Sequence, residues 1–478
     1  MPRSALTLFL GLSAATACAA VPALSASALT TSTATAPALD AAQQLYERVT
    51  PSLVAVQYTL DTELGRRDLI FPGVVVGADG LVMIPLAAVS EQFPDSQLKD
   101  FKIIVPKHDA DAQELDAIFQ GRDERSSIAF VKTKEPQKWT PIAFKSATPK
   151  IGDTIFSVGL LPKTGGYRSY LMRAMVSSRL RGDTLQILVG DGGLATAGSP
   201  VFNAQGQAIG FVNYQPPYPL LLNDKNPLGA LINPPKFITP TSEFAQSLAD
   251  PPTADHPIPV PFSGVSELSG LKKEMAEYFG LDNQPAVQIG AVVPGTPAEK
   301  AGLQAEDIIV KFNGQPLERG DDPDDLPLIL RHQLLRLKPG DVVTFSVLSP
   351  KTGKDQPPKD VKVTLEAQPP RANVAERFWT DDLGFGVREM VFLDSFALHL
   401  KPDTHGVIVT IVKPESSAAS GHLHMGDLVI DLDGQPVTGL DEFKTAYAQF
   451  RKAQPHDPVV MVVRREGHEE TIRIEPPQ

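Results

Sequence analysis

The chain has almost no cysteine, little histidine in its first half and no long apolar stretch. Cys18 is the only cysteine among 478 residues, so neither an intramolecular disulfide nor a cysteine-based metal site can form. His108 is the only histidine before residue 250. It lies in Val105-Pro106-Lys107-His108-Asp109, which reads as a surface hairpin, and a hydroxyl nucleophile in that half has no other imidazole to act as its base. No block of like charges is present, and a formal net charge of -12 argues against nucleic-acid or anionic-membrane partners. No segment is apolar for long enough to form a permanent membrane-spanning helix, so no transmembrane segment is expected.

What is present begins with an export signal over residues 1–28. Arg3 supplies the positive start, Leu6 to Leu12 the apolar run, and Ala15-Thr16-Ala17 and Ala26-Ser27-Ala28 resemble cleavage sites. Cys18 is read as part of the removed segment, with a lipid anchor at Cys18 as the alternative. A Thr/Ala/Pro-rich linker over residues 29–40 follows. Short alternating runs then recur across residues 41–250, among them Leu53 to Val56, Gly73 to Val76, Phe101 to Val105, Ile128 to Val131, Thr154 to Val158 and Leu185 to Val189. Short strands at this spacing with Gly/Asp turns predict an all-β barrel or sandwich. The proline-rich segment 251–261 marks the clearest domain boundary.

Beyond that linker the chain repeats itself, over residues 262–368 and 369–478. Pro294-Gly295-Thr296-Pro297-Ala298 leads to Glu306-Asp307-Ile308-Ile309 and Asn313-Gly314-Gln315-Pro316. In the second copy Pro414-Glu415-Ser416-Ser417-Ala418 leads to Gly426-Asp427-Leu428-Val429 and Asp433-Gly434-Gln435-Pro436. Strand, Pro/Ser turn, short helix, Gly-Asp turn, strand and hairpin turn occur in the same order twice, which is a tandem duplication.

The repeated unit resembles a PDZ domain of the bacterial, permuted type. Such modules bind an extended C-terminal peptide as an added strand, and the backbone amides of a glycine-containing loop hold its carboxylate. The resemblance assigns this role to Phe385, Gly386 and Val387 in the second module, preceded by Leu383-Gly384. In the first module it falls to Ser263, Gly264 and Val265, a weaker match because Ser263 stands where an apolar residue is usual.

The preceding domain resembles a trypsin-like serine protease. With two PDZ modules behind it, nearly all of the mature chain resembles the HtrA/Deg family of envelope proteases. The fold class implied is mainly β: a trypsin-like double β-barrel followed by two α+β PDZ domains. Gly73 to Val82 resembles the strand and turn leading to the family's catalytic histidine, and Ile84-Pro85-Leu86-Ala87-Ala88-Val89 then puts Ala87 at the histidine position. Asp123-Glu124-Arg125-Ser126-Ser127-Ile128-Ala129 puts Ser127 at the aspartate position. Ala195-Thr196-Ala197-Gly198-Ser199-Pro200 matches the Gly-x-Ser-Gly-Gly-Pro nucleophile loop with Ala197 at the serine and Ala195 at the oxyanion-hole glycine.

The expectation is therefore an exported, periplasmic or cell-envelope pseudoprotease with no cofactor and no metal. It would bind peptides or unfolded protein C-termini in protein quality control, chiefly at the second module. The resemblance implies unfolded envelope proteins or an active HtrA homologue as partners, and a trimer-based homo-oligomer. Two other readings remain open: an active serine endopeptidase with unorthodox residues, Ser199 as its nucleophile, and a non-catalytic scaffold. His422 and His424 lack a third ligand and read as a turn. Asp321 to Asp325 reads as a loop that caps a helix. The proline-rich insertion 215–235 reads as a surface loop, with cover of the cleft as the alternative.

Overall fold

The computed structural model describes residues 36–63, 65–89, 93–107, 111–181, 185–214, 236–282, 284–320, 325–351, 353, 356–372, 374–401 and 404–476. The signal segment, Cys18, His108, the insertion 215–235 and Asp321 to Asp324 lie outside them. The chain divides into two units at Gln44 and Leu45. In the first, residues 36–44 are helical; the second unit holds everything described below.

Twelve strands form two barrels. β1 (Leu53–Thr62), β2 (Gly65–Val75), β3 (Leu81–Pro85), β4 (Leu98–Val105), β5 (Gln113–Asp123) and β6 (Ile128–Thr133) close in the order β1-β2-β3-β6-β5-β4. β7 (Thr154–Leu160), β8 (Ser169–Arg181), β9 (Leu185–Gly190), β10 (Pro200–Asn203), β11 (Ala208–Tyr214) and β12 (Lys236–Pro240) close in the order β10-β11-β12-β9-β8-β7. Closure leaves neither sheet with a free edge.

Strand alternation joins the barrels. Val82 and Ile84 of β3 and Ala129 and Val131 of β6 fill the first barrel. Their neighbours Met83, Ile128 and Phe130 point the other way and pack with Phe211 and Phe244. The Phe244 ring meets Phe144 and Phe211 edge-on at 5.3 and 5.2 Å, the geometry favoured by aromatic quadrupoles.

The repeated modules are open sheets. The first contains β13 (Pro261–Phe262), β14 (Val265–Ser266), β15 (Ser269–Gly270), β16 (Val287–Gln288), β17 (Ala291–Val292), β18 (Ile308–Phe312), β19 (Gln315–Pro316), β20 (Val342–Leu348), β21 (Lys359–Thr364) and β22 (Glu366–Ala367). Its main sheet runs β15-β16-β18-β20-β21, with the helix Asp325–Leu335 packed on it through Leu326 and Leu330. The second contains β23 (Arg377–Thr380), β24 (Phe385–Glu389), β25 (Val407–Val412), β26 (Leu428–Leu432), β27 (Gln435–Pro436), β28 (Val459–Arg465) and β29 (His468–Ile474), in the order β23-β24-β25-β26-β28-β29. Its helix Leu440–Ala453 buries Leu440, Phe443, Ala446, Tyr447 and Phe450, spaced for one helical face.

A buried carboxylate ties the first module to the barrels. The side chain of Glu243, 5% exposed, lies 2.8 Å from His332 Nε2 and 3.2 Å from Arg336, both donated by the first module. Burial alone would raise its pKa. The hydrogen bond and charge of His332, the charge of Arg336 and the Leu185 amide outweigh that and hold it below the ordinary carboxylate value. A lowered folded-state pKa contributes stability that is complete above the unfolded value, about 4.3, and is lost as pH falls through the folded one. Replacing Glu243 by Gln is expected to cost about 1–3 kcal/mol at neutral pH, with a shallower acid loss than wild type. Urea unfolding across pH 3 to 7 checks this, and parallel acid limbs in the two proteins would remove Glu243 from the account.

Candidate peptidase cleft and peptide grooves

The three positions singled out in the barrels lie on segments that abut one another. Ala87 is exposed on the single 3-10 turn Leu86–Val89 that follows β3. Ser127 sits just before β6 in a left-handed conformation (φ 56°), and its carbonyl accepts the Leu86 N–H at 2.9 Å. Ala197 is buried in the turn entering β10. The next residue, Gly198, has φ +91°, and a Cβ there would come within 2.8 Å of the Pro72 carbonyl and 3.0 Å of the Pro85 ring. Only glycine lets this turn lie so close to the other barrel. Pro85, Leu86 and Ala87 are consecutive, so the Ala197 turn and the Ser127 loop both abut the segment carrying Ala87.

A buried carboxylate holds the Ser127 loop. Asp123, 1% exposed, accepts from Ser126 Oγ at 2.7 Å and from the backbone N–H and Nε of Arg125, both at 3.1 Å. Ser247 Oγ, from the short helix after β12, donates to it as well. The carboxyl group is thus spent on positioning the loop.

Two side chains that sequence spacing did not bring forward shape the Ala197 turn. The Ala195 N–H donates to Ser157 Oγ and the Thr196 N–H to Tyr170 Oη, each at 2.9 Å. Both amides are therefore directed into the second barrel. Ser199, the alternative nucleophile, is 1% exposed, 3.3 Å from Thr196 Oγ1, and packed against Gly159 of β7. Among the described residues the barrels contain no histidine.

In the two modules the equivalent turns can be matched bond by bond. Gly264 has φ +90° and its carbonyl accepts the Val293 N–H, while Ser263 O accepts the Ala298 N–H. Gly384 has φ +76° and its carbonyl accepts the Lys413 N–H, while Leu383 O accepts the Ala418 N–H. Ser263-Gly264-Val265 thus corresponds to Leu383-Gly384-Phe385. The sequence reading placed the second loop on Phe385-Gly386-Val387, which instead forms the start of β24 and is buried. The glycine that turns the chain is Gly384, two residues earlier.

The grooves beside these turns differ. In the first module a cavity of about 330 Å³ lies between the loop residues Ser263 and Val265 and the helix residues Pro327, Leu328, Arg331 and Leu334. In the second, β23 is hydrogen-bonded along the outer edge of β24.

The remaining motifs are structural in placement. His422 is in a left-handed turn, and the His424 N–H donates to Asp427, which also pairs with Arg465. Among the described residues no group of three or more His, Cys, Asp or Glu could hold a metal ion, and no helix is long and apolar enough to cross a membrane. Asp325 opens the helix Asp325–Leu335.

A trypsin-like peptidase domain model matches residues 72–211, and PDZ domain models match residues 288–338 and 383–475. The chain is 26% identical over 387 residues to a probable periplasmic serine endoprotease DegP-like of Marinomonas sp. (strain MWYL1), covering 79% of this chain and 74% of that protein. It is 27% identical over 356 residues to one from Rhizobium meliloti (strain 1021), covering 70% and 62%. Its fold is similar to that of the HtrA-type protease AlgW with decapeptide, with a TM-score of 0.50 and 16% identity over 69% of this chain and 99% of that one. The fold and these similarities define a trypsin-like double barrel with two PDZ domains. In this make-up the chain is similar to DegP-like and HtrA-type proteases.

Because Asp123 satisfies two buried hydroxyls and an arginine, Asp123→Ala is expected to lower stability by about 1–3 kcal/mol and to speed amide exchange over residues 124–127. Urea unfolding with hydrogen-exchange mass spectrometry reads both; unchanged exchange in that loop would remove its positioning role.

Proposed function

We propose that this protein is a pseudoprotease of the HtrA/Deg family that works through peptide recognition. The reading is supported by the residues that stand at the three cleft positions it assigns, on segments that abut one another. Ala87 offers no base, Ser127 no carboxylate and Ala197 no nucleophile. A serine protease needs a hydroxyl, an imidazole and an orienting acid in hydrogen-bond contact. The Ala195 amide supports the same reading. It stands where the family's oxyanion-hole donor stands, yet donates to Ser157, so a developing oxyanion in the cleft would lose that donor.

The working surfaces are then the PDZ grooves, with extended peptides or unfolded protein C-termini as ligands. Residues 1–28 act as an export signal, and the protein serves in the envelope as a holdase, an adaptor or a regulatory subunit of an active homologue. A trimer-based assembly is part of the same proposal. The relatives named endoproteases favour the other reading, an active enzyme, which here would have to use Ser199.

A fluorophosphonate probe is expected to leave the purified protein unlabelled, and unfolded casein to stay uncleaved over hours. Triple restoration (Ala87→His, Ser127→Asp, Ala197→Ser) is expected to recover at most weak labelling while Ala195 still donates to Ser157. Labelling of the wild type that disappears in Ser199→Ala would overturn the proposal and establish the endopeptidase.

A further inference from the structure

The same module occurs twice in this chain, but the segment entering each takes a different route. Ahead of the first module, Pro261 and Phe262 pair with Glu366 and Ala367 of the last strand. That route leaves the groove beside Val265 as a cavity. Ahead of the second module, Arg377 to Thr380 run antiparallel along β24, in register Arg377↔Arg388, Phe378↔Val387, Trp379↔Gly386 and Thr380↔Phe385. This is the position and direction an added peptide strand takes in such a module.

The details of the contact are those of a ligand. The Thr380 carbonyl accepts the N–H of Gly384, the turning glycine of the loop, at 2.8 Å. Thr380 Oγ1 donates to the Phe385 carbonyl at 2.9 Å and accepts the Phe385 N–H at 3.3 Å. Thr380 thus stands where the last residue of a bound peptide would stand, with its carbonyl in place of a terminal carboxylate. Two residues back, on the same face of the strand, the Phe378 ring packs against Phe443 and Tyr447 of the helix Leu440–Ala453, at 6.1 and 6.0 Å. Trp379, on the opposite face, lies over Gly386, where an added Cβ would come within 3.3 Å of the indole. At the far end Glu376 pairs with Lys444 of the same helix, and the Glu376 carbonyl accepts the Glu389 N–H.

We propose that residues 376–380 are a tethered ligand that closes the second groove. When displaced, they admit an extended C-terminal peptide with an aromatic side chain two residues before a small terminal residue. This rests on the peptide-binding reading of the modules and deepens it. The first groove is the accessible one, and the second answers only to a competitor able to replace Phe378 and Thr380.

The test uses the full chain and a fluorescein-labelled peptide Glu-Arg-Phe-Trp-Thr with a free carboxylate. Binding is read by anisotropy, and the groove is identified by amide exchange of residues 377–380 and 385–389. Wild type is expected to show slow exchange at 377–380. Phe378→Ser should release that segment and bind the probe about tenfold more tightly or better, with protection returning to 385–389. Any contribution from the first groove is common to both proteins. A probe with alanine in place of phenylalanine should bind the released groove about tenfold more weakly. If Phe378→Ser does not fold, Thr380→Val removes only the hydroxyl contacts to Phe385 and should give a smaller gain in the same direction. Equal protection of 385–389 by the probe in wild type and variant would overturn the tethered-ligand proposal and leave peptide binding intact. A released strand with no probe protection at 385–389 would overturn both for this groove.

Discussion

Every backbone amide in a sheet needs a partner, and the edges are where this requirement is left unmet. The two barrels meet it by closing. The two modules cannot, because their sheets are open on the side of the groove, and each groove strand presents amides and carbonyls to whatever lies beside it. In the first module that neighbour is a cavity, and in the second it is the chain itself. The contrast does not arise from the modules' cores, which match in order and in the hydrogen bonds of their glycine turns. It arises from whether the entering segment turns toward the last strand or toward the first.

The barrels follow a related logic on a different scale. Alternation along β3 and β6 sends one set of side chains into the first barrel and the other onto Phe211 and Phe244, which brings the barrels together. The cleft positions are carried on the turns at that junction, pressed close enough that Gly198 has room only for hydrogen. At the three proposed cleft positions the side chains are two methyl groups and a serine. The amide of Ala195 is satisfied by Ser157, as a buried donor must be. Glu243 extends the assembly to the first module, so the groove-lining helix Asp325–Leu335 is anchored to the barrels at its C-terminal end.

Much of this could be read from the residues. Period-two alternation with Gly/Asp turns specified a β domain of short strands, and the duplication was visible because turn, helix and hairpin recur in order. The proposed cleft positions rest on the residues flanking them. The loop glycine of the second module could not be read in that way. Leu383-Gly384-Phe385-Gly386-Val387 contains two glycines, and nothing local distinguishes the one that must adopt positive φ from the one that makes room for Trp379. The occupied groove was equally hidden, since Arg-Phe-Trp-Thr reads as any short strand and its partner is fixed by tertiary contacts with Phe443 and Tyr447. Ser157 and Tyr170 were missed for the same reason: their bonds to the Ala197 turn join residues far apart in sequence.

The hairpin of β23 and β24 joins strand and groove through four residues, 381–384. A strand held on so short a tether faces its groove at an effective concentration on the order of millimolar or higher, unchanged by dilution, expression level or assembly state. A free chain end at micromolar concentration meets that as a fixed threshold. Under the tethered-ligand proposal the second module would act as a high-pass filter on its surroundings, engaged only when chain ends accumulate or are themselves concentrated by prior capture on the same molecule.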